Sequence, residues 1–146
     1  MTKKKVQKLN RGQHMLHQVF GKNTESETEQ LRKFGKKNIL VIIADPPGFS
    51  VAEKLRMCVG LTLEENNTLS VLMIDNGAYV GLGTDKSKTS LEIDKHLETL
   101  SALSVVLCVS KFSVDERSLV YSKFIFKLLS NLDIEEMMTA NDIIIN

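Results

Sequence analysis

Three apolar runs rich in β-branched residues set the rhythm of the chain. Asn38 to Ala44 (Asn-Ile-Leu-Val-Ile-Ile-Ala), Leu69 to Ile74 and Val105 to Val109 lack the polar alternation of a half-solvated strand. Continuous runs of this length predict strands covered on both faces. Asp45-Pro46-Pro47-Gly48 ends the first, because proline cannot donate to a ladder. Asp75-Asn76-Gly77 ends the second, and the third is expected to stop at Cys108. Between the strands the period changes. Val51, Leu55, Cys58, Val59 and Thr62 recur at helical spacing, as do Ile93, Leu97, Leu100 and Ser104. Ser50 to Glu53 and Thr89 to Glu92 read as capping boxes, and Ser113 to Glu116 as a third capping signal. Asp133 to Glu136 can cap a last short helix before a final strand, Asp142 to Ile145. Tyr121, Phe124, Ile125 and Leu128 fit a helix, whereas Phe124, Phe126 and Leu128 alternate as in a strand. Periodicity leaves both open.

Strands alternating with helices over short links predict an α/β fold: a three-layer α/β/α domain around a mainly parallel sheet. Ligands of such sheets sit outside the carboxyl ends of the strands, near a topological switch point. Asp45 to Ser50, Asp75 to Tyr79 and Cys108 to Ser113 should therefore share one rim.

The chain has 146 residues, 42% hydrophobic and 25% charged, which suits one ordinary globular domain. The apolar runs are too short to span a bilayer as a helix, and no secretory signal pattern is visible. Two cysteines make no disulfide framework, so reduced thiols and an intracellular setting are expected. The net charge of +1 conceals an asymmetry. Residues 1–37 carry ten Lys/Arg against three Glu, a net of +7, whereas residues 38–146 carry nine against fifteen Asp/Glu, a net of −6. The first segment is poor in apolar residues and reads as a basic, flexible or peripheral extension, with the domain proper at 38–146. Met15, Leu16, Val19 and Phe20 could form one amphipathic turn within it. Lys3-Lys4-Lys5 could attract nucleic acid or another anionic partner. No aromatic residues interleave with these charges, so nucleic acid is not the expected partner.

Cys108 is the most reactive side chain expected at the rim. A thiolate is a nucleophile and a sulfur acceptor, and Lys111, Arg117 and a helix start would raise its population. Such a thiol could hold sulfane sulfur as a persulfide. The plain alternative is a small apolar residue closing a core strand. Asp45, Ser50, Asp75 and Asn76 would line the mouth, with Lys111 and Ser113 beside the thiol. Asp75 also suits a turn-former. Cys58, on the stripe of Val51 and Leu55, reads as core. Gly81-Leu82-Gly83 is not a dinucleotide fingerprint, and Gly48 alone is weak support for phosphate. His14 and His17 lack a third ligand, so no metal is expected. No cofactor is called for, although a small molecule or nucleotide at the same rim is a further option.

From Asn38 onward, about 109 of the 146 residues, the chain resembles the DsrE/DsrF-like family, which includes the sulfur-relay subunits TusD and DsrE. The resemblance rests on Ile39 to Ala44, Ala52 to Leu63, Val71 to Val80, Asp94 to Leu100, Val106 to Arg117 and Asp133 to Ile145. It implies a flavodoxin-like fold and cytoplasmic sulfur handling. It also implies assembly as homo-oligomers (dimers or trimers) or as hetero-oligomers with related subunits, and exchange with sulfur donor and acceptor proteins. In the sulfur-carrying subunits one cysteine ends the third strand, and Cys108 takes that position. Other relatives serve as non-catalytic assembly partners.

Overall fold

Five parallel strands form the sheet, in the order β4-β3-β2-β1-β5. They are β1 (Lys37–Ile43), β2 (Asn67–Met73), β3 (Val106–Ser110), β4 (Lys127–Leu129) and β5 (Ile143–Ile145). The connecting helices are α1 (Phe49–Leu61), α2 (Lys88–Ala102), α3 (Lys111–Arg117) and α4 (Asn131–Ala140), with a 3-10 turn at Asp75–Tyr79. This computed structural model describes residues 35–83 and 86–146. The expectations for the basic segment before residue 35, including its amphipathic turn and His14 and His17, lie outside the described residues. Lys37–Asn146 forms one compact unit.

The strand order decides where each helix lies. From β1 to β4 the chain steps in one direction, so its right-handed crossovers keep α1, α2 and α3 on one face. The last connection reverses past β1, which puts α4 on the other face. The two faces are unequal. Among the described residues the first holds nineteen buried ones, including Val41, Leu55, Cys58, Val71, Leu97, Leu100 and Phe126. The second holds five: Leu40, Ile42, Leu72, Cys108 and Leu129, covered by Ile134 and Met137 of α4. The β1–β2 register, from Lys37 opposite Asn67 to Ile43 opposite Met73, is the longest pairing and anchors the centre. Both edge strands are three residues long.

Several local expectations shift. The helix starts fall earlier than the capping boxes suggested. Gly48 is the N-cap of α1 and Ser50 lies inside its first turn. Ser87 caps α2 by accepting from the Ser90 N–H, and Ser110 caps α3 by accepting from the Ser113 N–H. Ser130 caps α4 in a reciprocal box with Asp133. The third strand runs to Ser110, so Cys108 lies within it, not at its end. The ambiguous segment resolves into β4 at Lys127–Leu129, preceded by a loop. In that loop the Tyr121 ring meets Phe126 edge-on at 4.8 Å, and Phe124 stacks on Phe126 at 6.0 Å. These rings belong to the α1–α2 side, which explains their helix-like spacing without a helix.

Candidate functional site

The turn after β2 is built around Gly77. A Cβ there would lie 2.0 Å from the Ile43 carbonyl oxygen, so only glycine lets the turn close against the end of β1. Asp75 enters the turn at φ 51°, a left-handed conformation that Asp tolerates. Its N–H donates to Ser113 Oγ at 2.9 Å, which ties the turn to α3. Arg117 reinforces the tie. Its Nη2 donates to Asn76 Oδ1 at 3.4 Å, and its guanidinium carbon lies 5.9 Å from the centre of the Tyr79 ring. Asp75, Asn76 and Ser113 are thus brought together as expected. Lys111 turns to Asp115 instead, at 2.7 Å on the exposed side of α3.

Cys108 does not join this group. It is 0% exposed. It lies opposite Leu72 and Lys127 in the ladder, on the α4 side of the sheet. Burial pushes its thiol pKa up, and the Lys127 charge pulls it partly back. Burial pushes Cys58, on the other face, up to about 12. In this chain the expected open thiol at the rim is a sealed thiol two residues inside it.

The concave feature of the carboxyl edge is a cleft of about 240 Å³ on the α1–α2 side. Pro47, Gly48 and Phe49 form one wall, and Tyr79, Gly81 and Gly83 another. Ser87, Thr89, Ser90, Ile93 and Asp94 of the α2 start complete it. Asp45, in the loop after β1, and Ser50, in the first turn of α1, are exposed but do not line it. Nor does the cleft sit at the reversal of strand order, which falls between β1 and β5. Two helix N-termini converge on it. No side chain caps α1, and neither α1 nor α2 has an acidic residue in its first turn. The unpaired N–H groups and aligned dipoles make such ends electropositive. Gly81 takes φ 90° against the Phe126 ring, and a Cβ there would lie 2.7 Å from that ring.

Asp94 is the one buried carboxylate among the described residues, with Lys123 Nζ 3.1 Å from its Oδ2. That hydrogen bond holds the Lys123 pKa above its usual value. Nearby, the Tyr121 hydroxyl donates to the Ala78 carbonyl, and burial pushes it up to about 12. Tyr79, Asp94 and Lys123 were not among the expected site residues. The only sequence signal was a carboxylate set between Ile93 and Leu97 on an apolar stripe. Among the described residues no His, Cys, Asp or Glu cluster of three or more could hold a metal ion. None of the described helices is long and apolar enough to cross a membrane.

The architecture is similar to that of the crystal structure of the ychN protein from E. coli. The TM-score is 0.63 at 21% identity, over 75% of this chain and 97% of that one. The fold is DsrE/DsrF-like. No protein-family model and no curated protein matches the sequence. At this identity the likeness speaks for the DsrE-like architecture alone, so the chemistry must be argued from the residues.

Proposed function

We propose that this DsrE-like domain is a binding module rather than a thiol enzyme, and that its cleft takes a small anionic molecule. The observation that carries the reading is the meeting of two helix N-termini at one concave site while both cysteines are buried. The N–H groups of the α1 start and the hydroxyls of Tyr79, Thr89 and Ser90 would orient the anion. Lys123, 3.1 Å from Asp94 and 3.5 Å from Glu98, would offset part of the Asp94 charge at the cleft wall. Assembly into a dimer or trimer belongs to the same reading. Phe49, Phe112, Val120 and Ile125 support it, being exposed apolar residues in the segments that follow β1 and β3.

The test is a thermal-shift panel of inorganic phosphate, sulfate, thiosulfate and nucleotides, with light scattering for the assembly state. A ligand that raises the melting temperature of wild type but not of Ser90→Leu, which fills the cleft, supports the reading. A flat response across the panel sinks it.

A second reading, sulfur carriage as a Cys108 persulfide, draws its support from Lys127. That cation lies beside Cys108 in the ladder and would favour an anionic sulfur. Intact mass after exposure to a persulfide donor decides it. A gain of one sulfur on wild type and none on Cys108→Ser favours carriage, and no gain on either removes it.

A further inference from the structure

The two cysteines lie on opposite faces of one sheet, and those faces are held with very different strength. Cys58 is enclosed by α1, α2 and the nineteen-residue core. Cys108 is enclosed by α4, and no residue of α4 is itself buried. Only Ile134 and Met137 reach down from that helix onto Leu40, Ile42, Leu72, Cys108 and Leu129.

The flanks of α4 are equally slight. Before it, β4 pairs with β3 over three residues. After it, β5 pairs with β1 over three residues, Ile39 to Val41. Among the described residues two small hydrogen-bonded features stabilise the segment, one within the helix and one across to β1. One is the Ser130–Asp133 capping box. The other is a two-way bond in which Asp142 Oδ2 accepts from the Asn38 N–H at 2.8 Å and the Asp142 N–H donates to the Asn38 carbonyl at 2.8 Å. Segments with few buried apolar contacts open before the rest of a domain.

We propose that α4 and β5 form a flap that unfolds locally as a unit on the native domain, uncovering the Cys108 thiol to soft electrophiles while Cys58 stays sealed. Opening removes the cover of the smaller core and leaves the β1–β2–β3 centre with its three helices intact. Lys127 then stands beside an accessible thiol. The proposal is independent of the cleft, which lies on the other face. It states the condition that any sulfur chemistry at Cys108 must meet.

The experiment is native-state alkylation of the full chain with iodoacetamide, read by peptide mass spectrometry for each cysteine over a range of urea below the unfolding transition. Alkylation forms one S–C bond as iodide leaves and the thiol proton goes to solvent. Cys108 is expected to react at least 100-fold faster than Cys58, with a weak urea dependence, because little surface is exposed in the opening. Cys58 is expected to follow global unfolding. Ser130→Ala removes a helix cap and should speed Cys108 about fivefold. Asp142→Ala should act in the same direction. Neither should change the urea slope of Cys108. Equal rates and equal urea slopes at the two cysteines overturn the proposal. So does a Ser130→Ala variant that speeds both cysteines alike.

Discussion

Replacing Gly77 by alanine tests whether the rim is set by backbone contact. The added Cβ would lie 2.0 Å from the Ile43 carbonyl oxygen and 2.7 Å from its carbon, both main-chain atoms that no rotamer change can move. The turn must lift from β1, which breaks or stretches the bond from the Ile74 N–H to that same Ile43 oxygen, 2.9 Å long. Overpacking of this kind costs about 1–3 kcal/mol. A buried backbone bond adds roughly 1 kcal/mol. The expected loss is therefore about 3 kcal/mol. At an m-value of about 2 kcal/mol/M the urea midpoint falls by roughly 1.5 M. Gly60→Ala is the control. Nothing lies within 4 Å of its Cβ position, in the last turn of α1. There alanine should be neutral or stabilise by up to about 0.5 kcal/mol. Equilibrium urea unfolding of both variants gives the answer. A Gly77→Ala midpoint within error of wild type would refute the argument.

Leu97→Ala, in the larger core, should cost about 2–5 kcal/mol in urea unfolding, and a loss under 1 kcal/mol would contradict the packing described. Tyr121→Phe should flatten the alkaline loss of stability. The folded hydroxyl titrates at about 12 against an ordinary 10.0, so wild type loses stability as pH rises between these values, where the unfolded chain releases its proton first. Identical slopes for the two proteins over pH 9.5–11.5 would refute this. Lys123→Met should be less stable than wild type at neutral pH. The gap should close at high pH, because a lysine whose folded pKa is raised stabilises below its unfolded value and loses that effect as it discharges. A gap that is constant from pH 7 to pH 11.5 would show that the Asp94 and Glu98 carboxylates do not hold the charge.

The strands were legible because a central parallel strand is apolar on both faces, so Ile39 to Ile43 and Val71 to Met73 needed no partner to be recognised. The helix starts were less so, and for a consistent reason. Ser113 and Asp133 are third-position partners of true caps at Ser110 and Ser130. When polar residues recur three apart, a sequence pattern does not say which member of the pair is the cap. The same short shift undid the reading of Cys108. Two further strand residues move it about 7 Å from the edge, at some 3.3 Å per residue. The Asp94–Lys123 pair was invisible because its members are 29 positions apart, one on a helix and one in a loop. The Asp75–Ser113 contact followed from topology, since parallel strands deliver successive loops to one edge.

The chain has no tryptophan and two tyrosines. Tyr79 forms part of the cleft wall and carries the Arg117 guanidinium, and Tyr121 is hydrogen-bonded to the residue just before it, Ala78. The ultraviolet emission of the unlabelled chain therefore originates within a few residues of the cleft. Anything that enters there, or shifts Arg117 from the ring, should alter that light directly, so occupancy can be followed without attaching a dye.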